Sequence, residues 1–351
     1  LSDVKAAIAK ASATARARLD VLDRATAERL SELYRDAADT LTAEIARYAD
    51  AEGNLRLAVL RDLLQQVNGI MAALRDSSRF LLGNALLHAA EDGAGVWVTG
   101  ASITLLAETA VRFVENFVAA DGLKLSDRLW RLENGALQAV AEILRRNVVL
   151  GRDASRAAQE FLARGEAIPL ELRAQLGLDG AGRLGQSVAE ALTTASGNAY
   201  SNALRLFRTE LNRAHGEAYQ HGAGSNPDVI GMKFNLSPNH PRYDICDFYA
   251  KANLHGLGPG VYPIGQVPWP AHPNTMSYLT AVFRDEVSAA DRNGRQAPLD
   301  WLRGLKEPQQ EQVLGAAKAR ALRAGVLNES DITTPWQSLK DSYERRGYTF
   351  G

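Results

Sequence analysis

The chain carries few features that would cross-link it, anchor it in a membrane or give it a strong charge. Among 351 residues there is a single cysteine, Cys246, so no intrachain disulfide can form, and a reducing compartment is expected. No apolar run approaches the roughly 20 residues that a bilayer-spanning helix needs. The longest, Ile103 to Phe117, is interrupted by Glu108, Arg112 and Glu115, so no membrane role is expected. Basic and acidic residues balance at 40 and 41, a formal net charge of −1, so the chain as a whole is no polyanion binder, and any contact with DNA would need a local patch. There is no internal repeat. The chain opens without a basic, apolar leader, and secretion is not expected.

The rest of the composition is that of a globular protein. Apolar residues make up 46% and charged residues 23%, enough to bury the cores of two or three domains. Residues 1 to 50 are rich in alanine, leucine, arginine and glutamate, with Ile8, Leu19, Leu22, Leu30, Leu33, Leu41 and Ile45 at helical spacing. One long helix or two stacked ones are expected there, and a second from about Leu55 to Ala90, ended by the Glu91–Gly95 cluster. Val96 to Thr99 reads as a short strand. Ser102 is placed to cap a helix reaching Ala120, and Ser126 to cap another that Gly151 ends. Short helices are expected over 155–163 and 169–176. Gly177, Gly180, Gly182 and Gly185 mark a junction. Helical spacing resumes from about Gln186 to His221, with Leu204, Phe207, Leu211 and Ala218 on one face.

The period then changes. Ile230, Met232, Phe234 and Leu236 alternate with Gly231, Lys233 and Asn235, the pattern of a half-buried strand. Helical spacing returns from about Leu279 to the end. The expected fold is mainly α with a small α+β domain: long N-terminal helices, then a helix, a strand, a structured loop and more helices. The expected division is a helical region over 1–180, a second domain over 186–290 and a helical tail over 291–351.

Between the strand and the last helices lies the chemically unusual segment, Ser237 to Tyr278. It is rich in proline, glycine, histidine and aspartate. His240 and His272 each precede a proline, which restricts both to extended backbone. One reading is a metal ion. His240, Asp244, Cys246, Asp247 and His272 are all ligand-capable, and one cysteine, two histidines and a carboxylate could make a tetrahedral zinc site. Paired cysteines, the usual mark of a closed zinc site, are missing. The plainer reading is that Cys246 is a small buried hydrophobe and the histidines are hydrogen-bonded turn residues. Acid–base hydrolysis of a phosphodiester is a further reading, but no nucleophile elbow, phosphate loop or paired-acid spacing accompanies it.

Elsewhere the plain readings lead. His215 falls beside the Leu204, Phe207, Leu211 stripe and reads as a core histidine. Arg145-Arg146, Arg320 with Arg323 and Arg345-Arg346 are small basic spots with balancing acids nearby. Trp336, Leu339 and Tyr343 share a helical face, as core or as a docking stripe.

Three stretches of this segment, Ser237-Pro-Asn-His-Pro-Arg-Tyr-Asp-Ile-Cys-Asp247, Gly256-Leu-Gly-Pro-Gly-Val-Tyr-Pro263 and Pro270-Ala-His-Pro-Asn274, resemble the head-morphogenesis domain of tailed phages, the minor head proteins that include the F protein of phage Mu. Arg208-Thr209-Glu210 with Ala214 looks like the helix motif that precedes that domain. Leu125 to Trp130, Gly151 with 153–158, and the later Trp301-Leu302, Val313 to Gly315 and Ser330 to Ile332 are similar to other parts of the family. The resemblance thus runs from about residue 125 onward. Many members continue the His-Pro-Asn element with Cys-Arg-Cys, whereas here Thr275-Met-Ser277 follows. If the loop needs a metal, the residues left to hold it are His240, Cys246, His272 and a carboxylate such as Asp244.

The resemblance implies a structural virion component and not an enzyme. It would associate with the portal protein and the major capsid protein inside the head near the portal vertex, after assembly in the host cytoplasm, with packaged DNA as a further contact. It implies that Arg208, Glu210, Pro241, Asp247, Gly258, Gly260, Pro273 and Asn274 carry the shape of the loop. Related domains in bacterial toxins leave a nuclease or transferase as the alternative.

Overall fold

The computed structural model describes residues 2–49, 55, 57–119, 122–163, 180–194, 197–238 and 240–350. The fold is mainly α with one small antiparallel sheet. Among the described residues, six helices come first: α1 (Ser2–Tyr48), α2 (Leu57–Ala94), α3 (Ala101–Asn116), α4 (Leu125–Ala163), α5 (Gly180–Thr193) and α6 (Ala199–Gly224). Strand β1 (Val229–Asn235), helix α7 (Ile245–Lys251) and strands β2 (Val261–Tyr262) and β3 (Tyr278–Phe283) follow. Five short helices close the chain: α8 (Ala289–Asn293), α9 (Pro298–Arg303), α10 (Glu307–Leu314), α11 (Ala316–Arg323) and α12 (Trp336–Arg345). Among the described residues, no helix is long and apolar enough to cross a membrane.

The chain divides into two compact units. One gathers Leu1–Leu22, Leu86–Leu125 and Arg208–Gly351, the other Asp23–Ala85 and Ser126–Phe207. This differs from the three consecutive segments expected. Helices α1, α2 and α6 each contribute to both units, so the division does not follow chain order. The C-terminal helices are no separate tail: Leu302, Val313, Leu322 and Tyr343 are buried in the same cluster as Phe234 of β1 and Phe248 of α7.

The second unit is helical. Its core is aliphatic, with Leu30, Leu41 and Ile45 of α1, Leu63 and Val67 of α2, and Val140 and Leu144 of α4 all fully buried. Arg79 of α2 grips Glu133 of α4 with two bonds, 2.7 and 2.6 Å. Gly185 lets α5 lie against Thr42 of α1, where an added Cβ would stand 2.6 Å from the threonine methyl.

The first unit is built on the sheet, in the order β2-β1-β3, all antiparallel. Met232 stands opposite Tyr262 on one side and Ala281 on the other, and is completely buried. The second half of α6 supplies Tyr219 and Ala223 to the core below β1. Trp269 lies directly on Gly216 of α6, where no larger residue fits, and its Nε1–H donates to the Asn212 carbonyl at 3.1 Å.

Several local expectations are corrected. Helix α2 runs through the Glu91–Gly95 cluster to Ala94, because Gly93 lies flat against the His215 carbonyl and the close approach keeps the helix intact. Val96 to Thr99 is no strand: Trp97 and Val98 both donate to the Ala94 carbonyl, at 2.9 and 3.1 Å, and form a turn. The residue at the α3 cap is Gly100, with Ser102 inside the helix, which ends at Asn116. Helix α4 passes through Gly151 and takes in 155–163, since one glycine costs only about 1 kcal/mol in a long run of strong helix formers. The expected helix over 169–176, and Gly177 of the junction, lie outside the described residues. Gly180, Gly182 and Gly185 belong to α5, and the helix expected from Gln186 is two helices, broken between Thr193 and Ala199. Finally, Tyr278 to Phe283 is a strand where helix was expected, because β1 offers it a full ladder of partners.

Candidate functional site

The loop between β1 and β3 is organised around α7. Asp244 caps this helix: its Oδ1 accepts from the Cys246 amide at 2.7 Å, and Asp247 reaches back to accept from the Asp244 amide at 3.0 Å. This reciprocal cap needs an acid at each end of a three-residue spacing, and Asp244 and Asp247 supply it.

Asp247 does more than cap. It is 3% exposed, and the same carboxylate accepts from His240 Nε2 at 2.9 Å and from Lys251 Nζ at 2.7 Å. A buried carboxylate is stable only when charge-assisted bonds surround it, and these three donors supply them. Its partner His240 thereby has its Nε2–H committed, and stands 3.7 Å from Asp244 Oδ1.

Around Asp244 a second group forms. The ligand atoms of Asp244, Cys246 and His272 lie within 4.8 Å of one another. His272 Nε2 is 3.4 Å from Asp244 Oδ2, yet it is buried and off the line of any hydrogen bond. The other ring nitrogen, Nδ1, is 2.9 Å from the Pro273 carbonyl. Cys246 is fully buried, with Thr275 Oγ1 3.6 Å from its sulfur. The Asp244 carboxylate, with the Cys246 sulfur beside it, raises the His272 pKa to about 10. Burial pushes the Asp244 carboxyl up, but His272, the Cys246 amide and the His240 ring outweigh it and lower its pKa. The two shifts are one interaction seen from its two sides, the charged His272 ring and the Asp244 carboxylate each favouring the other's charge.

Helix α6 fastens the His272–Ser277 turn from the other side. Thr209 Oγ1 accepts from the Asn274 amide at 2.8 Å, and Asn274 takes a φ of 64°, a value asparagine tolerates better than most residues. Asn212 Nδ2 donates to the carbonyls of Thr275 and Ser277, at 2.9 and 3.2 Å. Beside them Glu210 and Arg213 are 1% and 5% exposed, 3.4 Å apart, and the Arg213 guanidinium lies 3.9 Å from the Phe117 ring centre. The glycine run has its own organiser. Asn253 Oδ1 accepts from the Gly256 and Gly258 amides at 2.9 and 3.3 Å. Gly258 and Gly260 have φ of 112° and 72°, and a Cβ on Gly260 would run into the Ala250 carbonyl.

Of the residues singled out in the sequence, the structure therefore brings His240, Asp244, Cys246, Asp247 and His272 into one cluster. Glu210 is buried on α6, Arg208 is half-buried there, and Pro241 and Pro273 are exposed, with the Pro273 carbonyl turned to His272. In the Arg208-Thr209-Glu210 tripeptide the loop contact is made by the threonine. Asn212, Lys251 and Asn253 were missed by sequence reasoning, and Thr209 and Thr275 were named only as parts of longer stretches. The i, i+3 spacing of Thr209 and Asn212 was the available signal. His215 is a core residue as read, although its Nε2 is buried with no hydrogen-bond partner.

The chain matches no family model, no curated protein and no solved structure.

Proposed function

We propose that this chain is a minor head protein of the head-morphogenesis type, a structural component of a phage virion that associates with the portal and inner capsid during head assembly and DNA packaging or delivery. The observation that carries the reading is how the motif side chains are spent. His240, Asp247 and Lys251 close on one another. Thr209 and Asn212 hold the backbone of the His-Pro-Asn turn. Gly258 and Gly260 take backbone angles that favour glycine. Residues used in this way fix the shape of a loop, which is what a binding surface requires.

Apolar side chains for such contacts are at hand on the same unit. Leu105 and Phe113 of α3 are 65% and 39% exposed, and Val118 just beyond it is 53% exposed. Aromatic side chains such as Phe113 are enriched at the centres of protein interfaces.

The test is co-expression with a phage portal protein and a major capsid protein from the same genome. A co-purifying complex with one of them is expected, weakened tenfold or more by Leu105→Asp combined with Phe113→Asp at unchanged helicity. Folded protein that associates with neither overturns the reading. The same preparation tests the competing one: cleavage of DNA or RNA that disappears in His240→Ala or His272→Ala would replace the assembly role with a nuclease.

A further inference from the structure

The geometry points to one zinc ion held by Asp244, Cys246 and His272, with the fourth coordination position left to solvent. This goes beyond the assembly role and does not depend on it.

The His272 ring lies at the centre of the site. Its Nδ1 faces the Pro273 carbonyl at 2.9 Å, and a carbonyl can only accept, so Nδ1 carries the proton. Nε2 is then the ring atom left to a metal. That atom is buried, makes no hydrogen bond, and lies 3.4 Å from Asp244 Oδ2. In the metal-free chain a proton on Nε2 stands beside the Asp244 carboxylate, but the two atoms are not aligned for a hydrogen bond. A metal ion fits: two ligands at about 2.0–2.1 Å on a tetrahedral zinc stand roughly 3.3–3.4 Å apart.

The third ligand and the outer contacts agree. The Cys246 sulfur is within 4.8 Å of both other ligand atoms and fully buried. The Thr275 hydroxyl, 3.6 Å away, can donate to a thiolate. Asp244 Oδ1 is tied to the Cys246 amide, which leaves Oδ2 to face His272. A ligating histidine whose other nitrogen donates to a carbonyl, and a ligating carboxylate fixed by an amide, are the usual outer contacts of a zinc site. His240 stands outside the set, because its Nε2–H is given to Asp247. With 23% of the Asp244 side chain and 35% of the His272 side chain exposed, an ion can enter from solvent.

Thiolate, imidazole and carboxylate together suit zinc better than the harder magnesium or calcium. On binding, the Cys246 thiol and the His272 Nε2–H each release a proton to the buffer as the sulfur–zinc and nitrogen–zinc bonds form. The two anionic ligands then balance the ion's double charge. The ion would join the α7 cap to the His272–Thr275 turn.

The test uses the full chain, stripped with chelator and titrated with cobalt(II) as a spectroscopic stand-in. One equivalent should bind with an intense near-ultraviolet sulfur-to-cobalt charge-transfer band, and zinc should displace it. Cys246→Ser should abolish the band. Asp244→Asn, which keeps a capping side chain, and His272→Ala should each weaken binding tenfold or more. His240→Ala should retain the band and the stoichiometry. A folded protein, by circular dichroism, that binds no cobalt overturns the proposal. So does a band that survives Cys246→Ser, or binding that is unchanged in both Asp244→Asn and His272→Ala.

Discussion

The Tyr219 hydroxyl of α6 lies 3.0 Å from the Ser12 hydroxyl of α1, and the direction of that bond is fixed by its neighbours. Ser12 donates to the Ile8 carbonyl at 2.8 Å, so it must accept from Tyr219. Tyr219 in turn accepts from the Ala281 amide of β3 at 3.1 Å. One directed chain of hydrogen bonds therefore ties α1, α6 and the sheet together in the first unit. It borders a cavity of about 610 Å³ walled by Ile8, Arg16, His215, Leu279 and Phe283.

Tyr219→Phe should cost more than Ser12→Ala. Losing the tyrosine oxygen leaves the Ala281 amide without an acceptor and the Ser12 oxygen without a donor, at about 1–3 kcal/mol for a buried group left unpaired. Losing the serine hydroxyl strands one group, the Tyr219 O–H, where the tyrosine change strands two, so its cost should fall at the lower end of that range. Urea unfolding of both single variants and the double variant checks the order. The double variant should cost less than the sum of the two.

Asp247→Ala should loosen the whole 237–278 loop. The change removes the acceptor shared by His240, Lys251 and the Asp244 amide. The expected loss is about 1–3 kcal/mol, the penalty for stranding partly buried donors. Protease cleavage within 237–278 should rise, whereas Asp285→Ala, at an exposed position, should leave it unchanged.

His215 and Glu217, two residues apart on α6, should give opposite pH dependences. Burial, and then Arg16, lowers the His215 pKa from 6.5 to about 4. Its contribution to stability is therefore lost as pH falls from about 6.5 towards 4, where only the unfolded chain takes up the proton. Burial raises the Glu217 carboxyl from 4.5 to about 7, partly offset by Arg213. Its contribution is lost as pH rises over that window. His215→Gln should make the protein gain stability on acidification between these limits, and Glu217→Gln should make it lose stability. The slope of each should change by up to about 1.4 kcal/mol per pH unit. Denaturant midpoints at several pH values measure this directly.

The site was legible in its residue types before its geometry was known. Prolines after His240 and His272, and the aspartates and one cysteine gathered between those histidines, marked the loop. The partners were not legible. Nothing in residue order says that His240 turns to Asp247 while His272 turns to Asp244, since those pairings arise from the folding back of the 272–277 turn under Thr209 and Asn212.

Sequence by itself determined what is local. Helix formers at 3.6-residue spacing set the long helices, alternation set β1, and the acids around Cys246 set the cap of α7. Tertiary structure decided what local preference leaves balanced. Tyr278 to Phe283 fits either period over six residues, and the hydrogen-bonding edge of β1 made it a strand. Gly93 and Gly151 looked like stops, yet close packing at the first and the strong helix formers flanking the second kept both helices whole. The division into units was also decided there, because burial joins Leu302, Val313 and Tyr343 to the core of β1 across dozens of residues. The free energy of such contacts depends on which surfaces meet, and no short window of sequence contains that information.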